Sequence, residues 1–139
     1  MNGFPADVFF QSLKFGTVIR LSHPKFPDKP HFFVLVDYSD TAMPPIISLI
    51  SSKSSKKKRN FVEVPLGRFA AFTKDSYIDC DQLYDFTPKK LYELYQKQIL
   101  TVCGQLDNTT LQDIVNSCEQ STTLEGEDIE RIKKAFEKL

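Results

Sequence analysis

The spacing of apolar residues changes just after Leu83, and that change bounds the folds open to this chain. Upstream, apolar side chains form short runs or alternate with polar ones at a spacing of two, as β-strands require. Downstream they recur at three and four, as amphipathic helices require. Strands first and helices afterwards predict an α+β domain built on a small antiparallel barrel or half-barrel. With 139 residues the chain fits a single domain with its own core.

Taken in order, Met1–Lys14 carries Phe4 and then, behind Pro5, Val8, Phe9 and Leu13, which predicts a short helical extension over residues 1–15. Gly16 breaks that pattern, and Thr17–Leu21 reads as a strand. Ser22–Pro30 holds Pro24, Pro27 and Pro30 and predicts a loop. His31–Val36 is the most apolar stretch and reads as a central strand. Ile46–Ile50 and Phe61–Pro65 are two more strands, Leu66-Gly67 turns the chain, and Phe69–Phe72 is a possible further pairing segment. Between them, Lys53–Arg59 has five cations in seven residues and no apolar side chain, so it is exposed.

Asp75–Leu83 alternates Tyr77, Ile78, Cys80 and Leu83 with Asp79, Asp81 and Gln82. That pattern predicts a strand with Asp79 and Asp81 on one face. Two such carboxylates either share a cation or proton, or belong to a solvated face. Beyond them, Thr87-Pro88 predicts a helix start, with Leu91, Leu94, Tyr95 and Ile99 along one side. Thr109-x-x-Gln112 has the form of a capping box ahead of Leu111, Ile114, Val115 and Cys118. Residues 125–139 form a last amphipathic helix, acidic at its start (Glu127, Asp128) and basic at its end (Lys133, Lys134, Lys138). No second domain is predicted.

Composition excludes some functions. Eighteen cations balance eighteen anions, so any preference for nucleic acid has to be local. Cys80, Cys103 and Cys118 are odd in number with no C-x-x-C pair, which argues against a disulfide framework or cysteine-rich zinc site and for a reducing cytoplasm. No run is long enough to span a membrane, and no secretory signal is visible. No nucleotide-cofactor motif is present, and no cofactor or metal is expected.

Several short motifs, in this order, resemble the PemK/MazF/Kid family of growth-inhibitor toxins. They are Gly16-Thr-Val-Ile before a Pro-rich loop, His31–Val36, Ile47–Lys53 where the family has a strand ending in Ile-Thr-Ser, and Val64-Pro-Leu-Gly67. They continue with Asp75–Leu83 against the family's Ser-x-Val-x-Cys-Asp-Gln, and Gly104-Gln-Leu106 before a helix. The resemblance covers residues 16–124. It implies an SH3-like antiparallel barrel with appended helices, of the MazF/PemK/CcdB type, usually a homodimer. It also implies a toxin-like endoribonuclease that cleaves single-stranded RNA without a metal, leaves a cyclic phosphate and is opposed by an antitoxin.

The resemblance also supplies candidate residues. Ser51 stands where the family often has a threonine at the scissile phosphate, and Asp81 matches the aspartate of Cys-Asp-Gln. His31 aligns with a family arginine, and Asp79 occupies a position where some members carry another. Cleavage through the 2′-hydroxyl needs a base, an acid and charge stabilisation. His31 is the first candidate acid or base, His23 the second; otherwise they are a strand-end and a loop histidine. Asp81 is a base, an orienting group or a turn cap. Lys29, Ser52, Lys53, Lys56, Lys57, Lys58 and Arg59 are candidate phosphate contacts, with Phe26 and Tyr38 as candidate stacking surfaces. The missing arginines motivate an alternative, a non-catalytic module of the same fold that binds nucleic acid or a protein partner such as an antitoxin. Gyrase-type inhibition by protein contact, known for a related barrel family, is a third reading.

Overall fold

The computed structural model describes residues 13–23, 26–37, 46–51 and 60–138. Residues 1–12 of the helical extension expected over 1–15 lie outside them, and Leu13, Lys14 and Phe15 are not helical. The described chain forms six strands and three helices: β1 (Thr17–His23), β2 (Phe26–Asp37), β3 (Ile46–Ser51), β4 (Phe61–Val64), β5 (Ser76–Asp85), α1 (Pro88–Gln96), β6 (Thr101–Gln105), α2 (Asn108–Glu119) and α3 (Gly126–Glu137). All the strands belong to one antiparallel sheet, in the order β4-β5-β3-β2-β1-β6. The expected mixed α+β class is present, whereas barrel closure is not: among the described residues β4 and β6 are the two edges of an open sheet.

The apolar run of β2 follows from its place in the middle of this sheet. Phe33 and Leu35 point into one core and Val34 and Val36 into the other, so both faces of the strand are covered and every position is apolar. One core joins Ile19, Leu21, Phe33 and Leu35 to Leu91 and Leu94 of α1. The other joins Val18, Val34, Val62, Val64 and Ile78 to Leu111, Ile114 and Val115 of α2 and Ile132 of α3. The result is three layers, with α1 on one face of the sheet and α2 and α3 on the other. Phe136 of α3 reaches Phe15, ring centroids 5.8 Å apart.

Local chemistry explains the helix starts. Thr87 caps α1, its hydroxyl accepting from Lys90 N at 3.1 Å, with Pro88 in the first turn. For α2 the cap is Asp107, not Thr109: its carboxylate accepts from Thr110 N and, at 2.6 Å, from the Thr110 hydroxyl. That hydroxyl and the backbone N–H hold the Asp107 carboxyl below the usual aspartate range.

Three sequence expectations are corrected. The Pro-rich stretch expected to be a loop belongs mostly to the β1–β2 pair: the strands run to His23 and from Phe26, with a bulge between Leu21 and His23. Pro27 and Pro30 fit because they fall between the paired rungs His23↔Phe26 and Leu21↔His31, where no ladder donor is needed. Phe69–Phe72 is a turn whose rings pack inward, not a strand. The helix expected to reach Ile99 is shorter, and Thr101–Gln105, for which no strand was expected, is β6. α1 stops at Gln96, and Gln98 takes a positive φ of 62°.

Candidate functional site

Continuing the strand registers across the sheet aligns one row of chemically able residues. Leu21 pairs with His31, Phe32 with Ile50, Ser51 with Tyr77, and Tyr77 with Glu63. One step past Phe32↔Ile50, position 31 therefore falls opposite position 51. The row reads Leu21, His31, Ser51, Tyr77, Glu63 across β1, β2, β3, β5 and β4. Directly paired residues share a face, and neighbouring strands lie about 4.8 Å apart. Residues that flank the row, Phe32, Ile78, Val62 and Val64, belong to the α2/α3 side, which puts the row on the opposite face.

Along that row the setting changes from core to solvent. Leu21 is fully buried, His31 and Tyr77 are half-buried, and Glu63 is exposed. Tyr77 also meets Phe61 edge-on, with ring centroids 5.4 Å apart. His23, opposite Phe26, and Lys29 belong to the same end of the β1–β2 pair. Phe26 is a strand residue and not a loop residue. Ser52, Lys53, Lys56, Lys57, Lys58 and Arg59, together with Tyr38, lie outside the described residues. By sequence, the basic run begins two residues after Ser51 and ends just before Asn60.

Asp81 is held elsewhere. Between the rungs Ile50↔Ile78 and Ser48↔Leu83 the register of β5 shifts, so Asp79–Gln82 form a bulge and the simple alternation fails there. Asp79 is 5% exposed, and its Oδ1 accepts from Asp81 N at 2.9 Å, closing the bulge. The Asp81 carboxylate accepts from Asn60 Nδ2 at 3.0 Å, Asn60 N at 3.3 Å and the Ser121 hydroxyl at 2.9 Å. Its carbonyl accepts from the Thr123 hydroxyl at 2.6 Å. Asp81 thus joins the entry of β4 to the loop between α2 and α3. The Asp79 and Asp81 carboxylates thus accept from different donors, and among the described residues no group of three or more His, Cys, Asp or Glu side chains is placed to hold a metal.

The cysteines are structural in setting. Cys80 and Cys118 are buried, and the Cys80 thiol is pushed far up by its hydrogen bond to Cys118 and by burial, so it stays protonated. Cys103 is half-buried, and burial raises it as well.

The β2–β3 register, extended one step, sets His31 opposite Ser51, with His23 and Lys29 at the same sheet end, and Asp81 lies on a separate network. Tyr77 and Glu63 complete the row and were not singled out from the sequence. Each sits at an outward position of an alternating strand, but only the register of four strands reveals that they align with His31. No family model matches the chain, and no curated protein matches its sequence. Among the described residues no helix is long and apolar enough to cross a membrane.

Proposed function

We propose that this protein is a divergent relative of the PemK/MazF/Kid toxins, with a half-barrel in place of the closed SH3-like barrel. In this reading it is a cytoplasmic endoribonuclease acting on single-stranded RNA without a metal. The observation that carries the reading is the β2–β3 register, which, extended one step past Phe32↔Ile50, sets His31 opposite Ser51, with the Lys53–Arg59 run two residues on in sequence. His31 takes or gives the proton at the reacting oxygens, since imidazole changes charge near neutral pH. Tyr77, next along the rung, is a hydroxyl donor for the developing phosphorane charge. The basic run and Lys29 hold phosphates, which makes binding fall steeply with salt. Attack of the 2′-hydroxyl on phosphorus expels the 5′-oxygen and leaves a cyclic phosphate. An antitoxin and a homodimer belong to the same reading.

A second reading, a module that binds nucleic acid or a protein partner without cleaving, is favoured by one observation: the Asp81 carboxylate already serves Asn60 and Ser121. Incubating the purified protein with mixed-sequence single-stranded RNA in EDTA separates the two. Fragments ending in a cyclic phosphate support the enzyme. Salt-sensitive binding without fragments, weakened in Lys56→Ala/Lys57→Ala/Lys58→Ala, supports the module. Neither fragments nor binding refutes both.

A further inference from the structure

Strand β4 is an edge, and the phase of its ladder shows which backbone groups it leaves outward. Cys80 N donates to Asn60 O at 3.0 Å, and the pairs Phe61↔Asp79 through Val64↔Ser76 follow without a shift. In an antiparallel ladder the bonded pairs alternate. Asn60, Val62 and Val64 therefore direct their backbone groups at β5. Phe61 and Glu63 direct N–H and C=O away from it, toward a side on which no strand lies among the described residues. A β-edge in this state is a template for another strand.

What flanks that edge defines what would fit it. An open cleft of about 450 Å³ runs between β4 and α2, lined by Phe61 and Glu63 on one wall and Asp113, Asn116 and Gln120 on the other. The three α2 residues are exposed and lie on one helix face, at spacings of three and four. The cleft therefore offers the Asp113 carboxylate and the carboxamides of Asn60, Asn116 and Gln120, and no Lys or Arg lines it among the described residues; Glu63, which alternates with Val62 and Val64, adds a second carboxylate on the opposite face of the same edge. On the far side of β4, Phe61 is 39% exposed and stands against Tyr77.

We propose that the β4/α2 cleft docks an extended, basic peptide segment of a partner protein, which adds as a strand to the outer edge of β4. The backbone of the incoming segment exchanges hydrogen bonds with Phe61 and Glu63, the usual source of affinity in strand addition. Its alternate side chains then fall on opposite faces of the extended sheet. One set meets Asp113, Asn116 and Gln120, where Lys or Arg finds a carboxylate and amide oxygens. The other meets Glu63 and the Phe61 ring, where a cation pairs with the carboxylate or lies over the aromatic face. A second copy of this chain is a poor occupant of the same edge, because it would bring its own Glu63 and Asp113 against the first pair. The site uses none of the groups assigned to RNA cleavage, Glu63 being only the outer end of that row, and it stands or falls independently of that activity.

The test is fluorescence anisotropy with short labelled peptides against the full chain. One peptide alternates Lys with Val, a second replaces each Lys by Glu, and a third is the basic peptide methylated on alternate backbone nitrogens. The expected result is saturable binding of the basic peptide, weakened on the order of tenfold or more by the Glu replacement and by backbone methylation. Asp113→Lys should weaken the basic peptide by about tenfold, which corresponds to about 1.4 kcal/mol. Asp113 is exposed, so this variant keeps the fold, as unchanged thermal unfolding would verify. Equal binding of the methylated peptide would overturn strand addition in favour of loose charge attraction. Absence of binding would overturn the site, and sedimentation showing a dimer broken by Asp113→Lys would assign the edge to a second copy instead.

Discussion

Replacing Asp81 by Ala removes the acceptor of three hydrogen bonds, from Asn60 Nδ2, Asn60 N and the Ser121 hydroxyl. Hydrogen bonds to a charged group contribute about 1.5–3 kcal/mol each when measured singly. They do not sum here. Two of the three share Asn60, the Ser121 hydroxyl also exchanges a hydrogen bond with Thr123, and Asp81 is half-buried. Two effective bonds at the lower end give a loss of about 3 kcal/mol, or a fall in Tm of about 10 °C for a chain of this size. Asp81→Asn keeps one acceptor oxygen but turns an NH2 group toward one of the donors, which costs about 1 kcal/mol. Urea unfolding followed by far-UV circular dichroism measures both. Ser121→Ala and the double variant then give the coupling, expected at about 0.5 kcal/mol or more. Stability unchanged within about 0.5 kcal/mol in Asp81→Ala would refute the structural role. So would Asp81→Asn that abolishes RNA cleavage while its unfolding midpoint stays put.

Other expectations follow from single positions. Gly16 has φ +89°, and a Cβ there would stand 2.6 Å from Leu111 Cδ2; Gly16→Ala should lose about 3 kcal/mol, from left-handed strain and overpacking together, measured by thermal unfolding. Asp107→Ala removes the α2 cap and should cost about 1 kcal/mol at neutral pH. Because the folded Asp107 carboxyl titrates below its unfolded value, its contribution is present above about pH 4 and is lost as pH falls through the folded value, so wild type and Asp107→Ala should converge in stability in acid. In native protein, iodoacetamide should label half-buried Cys103 before Cys80 and Cys118, which should react only on unfolding; peptide mapping of the labelled chain reads the order.

How much of this could be read in advance depended on the length of each pattern. The change of period after Leu83 located the passage from strands to helices, and Thr87-Pro88 marked the start of α1, because both signals are local. Where a tertiary partner decides, local chemistry misled. Pro27 and Pro30 read as loop residues, yet the register shift between β1 and β2 puts the extra residues 27–30 on β2 and leaves their positions without a ladder bond to make. Asp79 and Asp81 read as neighbours on one face, yet the bulge in β5 separates their roles: one closes the turn and the other ties Asn60 to Ser121. Thr109 resembled a cap because the sequence offers several oxygens near the start of α2, and the backbone chose Asp107. The row from His31 to Glu63 needs the registers of three strand pairs at once, and no single segment carries that information.

The central claim is that His31 does acid–base work on RNA from its rung beside Ser51, and the most direct measurement is the single-turnover rate of RNA cleavage. Wild type and His31→Ala are compared in EDTA at neutral pH, after both are shown to unfold at the same urea concentration. The account requires cleavage by wild type and a loss on the order of a hundredfold or more in the variant, the usual scale for a general acid or base. Equal rates in the two proteins, or no cleavage by wild type, would contradict it.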